Sequence, residues 1–385
     1  MTAPGKLRVV VLTGGTSAER EICLKSGAKV FGALDPKRYQ ADTVDLADIT
    51  QARARELAGI LFPTCRAGIP FGGVYPERSR RAQGKPMPAT ALQGTGGAGV
   101  GTPALQNQDA PPDVVFIALH GGAGENGTVQ GMLDLLGIPY TGSGVLASAL
   151  ALNKIICKKL FEREGIPTPK WVALHRSRET ATADTIISLL GLPCVVKPAA
   201  EGSSLGVTIV RERDQLEPAL DLAFSYGPEA LAEEFISGIE ITGPLLGNDD
   251  PQVLPLIEIV PTAQYEFYDY EAKYTPGATD EIIPARITEA QAERARELTL
   301  AAHKALGCRG MSRVDMIVGP EEVYVLELQT IPGLTDTSLL PRAAEAAGIP
   351  FPKLVDRLIE LALEACPPRG CEPRPTARQR RRSRG

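Results

Sequence analysis

A chain of 385 residues is too long for one ordinary core, so two or three domains are the starting expectation. With 43% hydrophobic and 23% charged residues, the composition is that of a globular protein and excludes a disordered chain. The formal net charge is −5, and Arg374, Arg378, Arg380, Arg381, Arg382 and Arg384 all fall in the last twelve residues; without those six charges the body stands at −11, which excludes a general affinity for nucleic acid.

In chain order, RVVVLT at 8–13 is a continuous apolar run, the mark of a strand buried on both faces, and it runs through Gly14-Gly15 into a helical pattern, AEREICLKSGAKVFGAL. Strand, glycine turn and helix open an α/β sheet, and VVFIAL at 114–119, leading into His120-Gly121-Gly122, reads as a second such strand. Between them, residues 62–112 are crowded with proline and glycine and read as a long mobile surface insertion. A second unit over 154–240 holds a helix (NKIICKKLFEREG), the strand CVVKP at 194–198, the Gly/Ser loop EGSSLG at 201–206, the strand VTIV, a helix near 214–224 and the strand ALAEEFI. A third, over 241–367, holds strands at LPLIEIV and EIIPARI, a helix at 288–306, a hairpin at 312–329 and a final helix at 351–365. Gly243-Pro244 reads as an interruption of an early strand of this unit, and 368–385 reads as a disordered basic tail.

The longest strongly apolar runs fall far short of the roughly 20 residues that cross a bilayer. The N-terminus lacks a signal-peptide layout, so we read the chain as cytoplasmic, without membrane partners. Seven cysteines without a CxxC pair suit reduced thiols, and three dispersed histidines make no metal cluster.

One strand looks too polar. In VYVLELQ at 323–329, Val323 and Val325 share a parity with Glu327 and Gln329, so a two-residue period places a carboxylate beside core-forming valines. Folding SRVDMIV against VYVLELQ about Gly319-Pro320-Glu321-Glu322 brings Asp315 nearly opposite Glu327, with Arg313 and Gln329 on the same patch. Such a patch is a self-satisfied Arg–carboxylate cluster, a solvent-facing sheet surface, or an oxygen-ligand site for a hard cation that arrives with phosphates. Phosphate-seeking groups do exist elsewhere: Lys154 at a helix start, Lys197 at the end of a β-branched strand, and the EGSSLG loop with its N–H groups and hydroxyls.

These residues are where the chain resembles the D-alanine–D-alanine ligase family of ATP-grasp enzymes. The resemblance runs through LTGGTSAEREICLKSG, ALHGGAGENGTVQGMLDLLGIPYTGSGVLASALALNK, VVKPAAEGSSLGV, EFYDYEAKYTPG, GCRGMSRVDM and LELQTIPGLTDTSLLP, and leaves out only the 62–112 stretch and the tail. It implies a three-domain ATP-grasp architecture, α/β and α+β, with an N-terminal open parallel α/β domain over 1–153. It also implies ATP, two Mg2+ or Mn2+ ions, D-amino acid substrates and a homodimer.

Carried over residue by residue, the resemblance makes Lys154 and Lys197 the triphosphate lysines and places Ser203 in the loop over the phosphates. Glu233 and Glu240 would hold the adenosine part, and Asp315, Glu327 and Gln329 the metal. Glu19 would take the first substrate's ammonium, helped by Ser203 and Tyr274, while His120 would lie near its carboxylate. Lys273 and Tyr274 belong to a lid, Arg313 and the Gly333 N–H to the oxyanion, and Ser338 and Leu339 to the second substrate's carboxylate. A carboxylate is a poor electrophile, so the implied reaction phosphorylates it and lets an amine attack the acyl phosphate; the protein's part is positioning, charge neutralisation and exclusion of water.

The chain departs from the family pattern at Gln329, which stands for a metal-binding Asn, at Asn126 and Asn153, which stand for aspartates, at Cys23 for a serine, and at Ile331 for a small polar residue. Two other readings therefore stay open: a ligase with D-serine, D-lactate or another amino acid as second substrate, with Tyr274 arguing against D-lactate, and a catalytically silent nucleotide-binding homologue.

Overall fold

The computed structural model describes residues 5–49, 111–177, 181–202, 204–262 and 277–365. Residues 1–46 and 111–385 form one compact unit, and 47–110 a second. Every element below belongs to the first; the expected 62–112 insertion, apart from its last two residues, and the basic tail lie outside the described residues.

Three sheets follow one another along the chain. The first is parallel, β1 (Leu7–Thr13), β2 (Tyr39–Asp45) and β3 (Val114–Ile117), in the order β2-β1-β3, with α1 (Arg20–Ala33) joining β1 to β2. Central β1 and β3, whose outer side is bridged at Tyr140, are the apolar runs legible in the sequence. Strand β2, YQADTVD, is an edge strand with one fully buried residue, and its polar composition gives no strand signal. The turn after β1 needs glycine: Gly14 has φ +69°, and a Cβ there would lie within 2.2 Å of the Asp45 carboxylate. That carboxylate accepts the Gly15 N–H at 2.9 Å and pairs with Arg20, which pins the start of α1. After α2 (Gly122–Glu125) and α3 (Thr128–Leu136), helices α4 (Val145–Leu152) and α5 (Lys154–Arg163) lead to the second sheet. Asn153 caps α5, its side chain accepting the Ile156 N–H, which gives the asparagine a local structural role.

The second sheet is antiparallel, β4 (Trp171–His175), β5 (Cys194–Pro198), β6 (Thr208–Val210) and β7 (Glu229–Glu234), in the order β4-β7-β5-β6. Val196 and Ala232 pair across it and face a core made with α6 (Ala183–Leu190) and α7 (Leu216–Ser225). Strict alternation then turns Lys197 and Glu233 to the opposite, open face.

The third sheet holds β8 (Ile239–Gly247), β9 (Gln252–Val253), β10 (Ile257–Pro261), β11 (Thr279–Ile282), β12 (Gly310–Val318) and β13 (Val323–Gln329), ordered β11-β10-β8-β12-β13 with β9 on β8. Helix α8 (Glu289–Ala305) covers one face, and α9 (Leu339–Ala346) and α10 (Phe351–Ala365) end the described chain. Gly243-Pro244 does not interrupt the sheet, contrary to the sequence expectation, for β8 runs straight through it. Pro244 sits where β8's partner changes from β10 to β9; its carbonyl accepts from Leu254 on that edge, so the missing N–H falls where the ladder is already broken.

The polar-strand expectation needs the larger correction. Asp315 does stand opposite Glu327, but Met316 stands opposite Val325, so Leu326 is an extra residue and β13 carries a bulge. The bulge reverses the parity. Val323, Val325 and Leu328 join Val314, Met316 and Val318 in the core beneath α8, while Glu327 and Gln329 turn to the other face with Arg313 and Asp315. No helix of the described residues is long and apolar enough to cross a membrane.

A Cβ on Gly243 would lie 2.3 Å from the Thr299 hydroxyl of α8, which is itself buried. Gly243→Ala should therefore cost about 1–3 kcal/mol and lower the melting midpoint in a thermal-shift assay. Gly32→Ala, near the end of α1 with nothing within 4 Å of its Cβ, should instead stabilise by about 0.5 kcal/mol. Equal midpoints for the two variants would refute the packing argument.

Candidate active site

Two clefts open side by side. One, of about 850 Å³, is lined by Glu19, His120, Arg313, Gln329, Gly333, Ser338 and Leu339. The other, of about 920 Å³, is lined by Lys197, Glu233, Glu240 and Asp315 and has an apolar wall that includes Val195, Phe235, Ile236, Ile317 and Leu326. Lys154, Glu201 and Glu327 line both, so the clefts meet where a lysine faces a carboxylate. Of the residues expected at the site, Ser203, Lys273 and Tyr274 lie outside the described residues; all the others line one cleft or the other.

At the junction, Lys154 Nζ lies 3.1 Å from Glu327 Oε2 and donates to the Glu201 carbonyl at 2.6 Å. Burial works against the Lys154 charge, but the facing Glu327 outweighs it and raises the pKa overall. Beside it, Arg313 grips Asp315 with Nε and Nη2 at 2.8 and 2.7 Å, and Thr242 Oγ1 donates to the same carboxylate at 2.7 Å. The self-satisfied Arg–carboxylate cluster thus exists, and it lies in the floor of a cleft. Among the described residues no three His, Cys, Asp or Glu side chains converge as a metal cage. The donor set is instead Asp315, Glu327 and the Gln329 amide on one face of the hairpin; two carboxylates and an amide oxygen fit a hard cation that brings phosphate oxygens and waters as its other ligands.

On the second sheet, Glu233 is clasped by two lysines. Lys197 holds Oε1, and Lys158, fully buried, lies 2.8 Å from Oε2 and donates to Thr168 Oγ1 at 2.6 Å. Burial alone would raise the Glu233 pKa, but the two ammonium groups lower it overall. Lys158 was not picked out in the sequence, though a lysine four residues after Lys154 falls on the buried side of α5 with Ile155 and Phe161.

At the N-terminal side Glu19 is buried, and a Cβ on Gly121 would lie 2.6 Å from its Oε2, so the glycine permits a close approach. The His120 ring sits in the cleft with both nitrogens engaged: Nδ1 is 3.2 Å from the Ile331 carbonyl and Nε2 is 3.1 Å from Ser26 Oγ. A carbonyl only accepts, so Nδ1 carries the proton and Ser26 donates to Nε2. Burial chiefly lowers the His120 pKa, which keeps the ring neutral. His120 therefore holds the 331 carbonyl through Nδ1 and the Ser26 hydroxyl through Nε2. Cys23 accepts the His120 N–H at 3.1 Å, and burial pushes its thiol up to about 11. Ser338 accepts the Thr335 N–H at 2.9 Å, and a Cβ on Gly333 would come within 2.6 Å of its hydroxyl. Asn126 accepts the Thr128 N–H at 3.0 Å, a local turn contact.

Glu125 is the second residue the sequence did not disclose. It accepts the Gly121 N–H at 2.7 Å and is pushed up to about 8, by burial first and by the nearby Glu19 charge second.

The family models decide the relationship. That described as D-ala D-ala ligase N-terminus matches residues 8–143, and that described as D-ala D-ala ligase C-terminus matches 160–360. The chain belongs to the D-ala D-ala ligase family. A D-alanine–D-alanine ligase of Syntrophobacter fumaroxidans is 46% identical over 361 residues, covering 93% of this chain and 98% of its own. Among solved structures, the ligase of Bacillus anthracis complexed with ATP superimposes with a TM-score of 0.69 at 31% identity, over 93% of this chain and 98% of its own. The VanG D-Ala:D-Ser ligase of Enterococcus faecalis does so at 0.70 and 32%, over 93% and 100%. The expected fold class, with its parallel N-terminal sheet, is that of the ligase family.

A carboxyl near 8 in the folded ligase and at its ordinary value of about 4.5 when unfolded binds more protons in the folded state across that window, so wild-type stability falls as pH rises. Glu125→Gln keeps the acceptor for Gly121 and removes the titration. Relative to wild type, it should gain stability from pH 5 to pH 8 at up to about 1.4 kcal/mol per pH unit, measured by urea unfolding without substrates. Parallel pH profiles would show that Glu125 titrates normally.

Proposed function

We infer that the chain is an ATP-dependent ligase that joins two D-alanines into D-alanyl-D-alanine through an acyl phosphate, for peptidoglycan precursor synthesis. The observation that carries this reading is the junction at Lys154 and Glu327, where a cleft with an apolar wall and lysines meets a cleft with acids, an arginine and backbone donors. Phosphoryl transfer from nucleotide to carboxylate needs such a meeting point.

In this reading Val195, Phe235 and Ile236 flank the adenine, Glu240 takes the ribose, and Lys154 and Lys197 neutralise the triphosphate. Asp315, Glu327 and Gln329 would hold Mg2+, which when bound neutralises phosphate charge during transfer. Glu19, buried at the mouth of α1, takes the first D-alanine's ammonium. Arg313 and the Gly333 N–H steady the tetrahedral oxyanion when the second amine attacks, and Ser338 and Leu339 at the start of α9 receive the second carboxylate. Ser203, Lys273 and Tyr274 complete the site as the family pattern has them. A cytoplasmic homodimer belongs to the same reading and rests on family membership.

Incubated with ATP, Mg2+ and D-alanine, the full chain should release phosphate in step with dipeptide, detected by mass spectrometry, and D-serine or D-lactate in the second position should turn over more slowly. No phosphate release with any of the three would sink the ligase reading. Glu327→Gln should reduce kcat by about 100-fold or more. Gln329→Asn, which withdraws the amide by one methylene, should lower the Mg2+ concentration at half-maximal rate; an unchanged requirement would remove Gln329 from the metal site.

A further inference from the structure

One charged residue beside the nucleotide cleft has no place in the reaction above. Lys158 lies on α5, wholly buried, and is absent from the lining of either cleft. Its ammonium is 2.8 Å from Glu233 Oε2 and donates to Thr168 Oγ1 at 2.6 Å. The other oxygen of Glu233 is held by Lys197, which does line the cleft. One buried carboxylate thus bridges a cation that can reach a ligand and a cation that cannot.

This arrangement matters when nucleotide arrives. Lys197 can neutralise a phosphate only by loosening its hold on Glu233, and a buried carboxylate stripped of its counter-ion costs several kcal/mol. With Lys158 in place the carboxylate keeps a partner, because the Lys158 amine stays 2.8 Å from its second oxygen. Burial lowers the Lys158 pKa, and the Glu233 charge opposes it, so the ammonium owes its place to that one carboxylate.

We propose that Lys158 is a positioning residue of the nucleotide site: the resident counter-ion of Glu233, which leaves Lys197 free to exchange between that carboxylate and a nucleotide phosphate. The proposal rests on the nucleotide-site reading of the preceding subsection and goes beyond it in assigning a function to a side chain that touches no ligand. Without Lys158, Glu233 and Lys197 become a closed pair, and phosphate must break it at the full cost of a bare buried acid.

The test is ADP binding with Mg2+, followed by calorimetry on the full chain, with the KM for D-alanine measured alongside. Wild-type chain that binds no ADP would overturn the nucleotide-site reading, and with it the basis of the proposal; binding by wild type isolates the role of Lys158. In a folded Lys158→Met variant the Kd for ADP should rise about tenfold or more while the KM for D-alanine stays within about twofold. An unchanged Kd, or an equal rise in both constants, would overturn the proposal. The decisive comparison is in a Glu233→Gln background, where no buried carboxylate is left to neutralise. There Lys158→Met should change the Kd by less than about twofold, because Lys158 acts only through Glu233. The double variant leaves no uncompensated charge at the Lys158–Glu233 pair, and the Glu233→Gln reference is used as a folded protein at a pH where Lys158 can shed its proton. A tenfold effect of Lys158→Met in that background would show that the lysine works by another route, and would refute the assignment.

Discussion

Cations and carboxylates at the junction of the two clefts are paired across the fold: Lys154 with Glu327, Lys197 with Glu233, Arg313 with Asp315. A buried charge without a partner costs several kcal/mol, so a protein that must later bind phosphates and a cation has to neutralise itself beforehand. Ligand binding at such a site is an exchange of partners. On the proposed function, incoming phosphates would replace carboxylates on the lysines, and an incoming cation would replace lysine and arginine on the carboxylates. Lys158, 2.8 Å from Glu233, and the Thr242 hydroxyl, donating to Asp315 at 2.7 Å, are the second contacts of those two carboxylates and would hold them in that exchange.

The scaffold meets this requirement by bringing two sheets edge to cleft, each with one face covered by helices and one face free. In the second sheet the ordinary two-residue period suffices: Val196 and Ala232 go inward, so Lys197 and Glu233 go outward. In the third the period alone would fail, because the valines of β13 share a parity with its one acid, Glu327, and with Gln329. One extra residue, Leu326, resolves the conflict by turning the end of the strand over, so that a hydrophobic core and an acidic face come from the same seven residues. The bulge sits beside the junction of the clefts, where the direction of a carboxylate matters most.

The strands and helices with strong periodicity were legible in the chain: CVVKP and the final helix at 351–365 have the bounds expected of them, and the hairpin brings Asp315 opposite Glu327. So were the residues that converge on the clefts, because lysines, acids and glycines at family spacing announce phosphate chemistry. Illegible elements share a cause. Strand β2 is polar because its edge is largely open to solvent, β8 carries a proline because its ladder partner changes there, and Lys158 and Glu125 look like solvated helix residues until the chain is folded around them. Asn126 and Asn153, which as departures from the family pattern raised doubt about activity, serve local caps and turns.

The sequence by itself determined the types of group available and the local elements that carry them, since propensity, periodicity and glycine turns act over a few neighbouring residues. Apart from Arg313 and Asp315, neighbours on one face of β12, tertiary structure alone decided which group neutralises which. Lys197 and Glu233 are 36 positions apart, Lys154 and the Glu201 carbonyl 47, and His120 and the Ile331 carbonyl 211. No local rule reaches so far. Their pairing follows from burial, which removes water as an alternative partner and obliges each charge to find another within the protein.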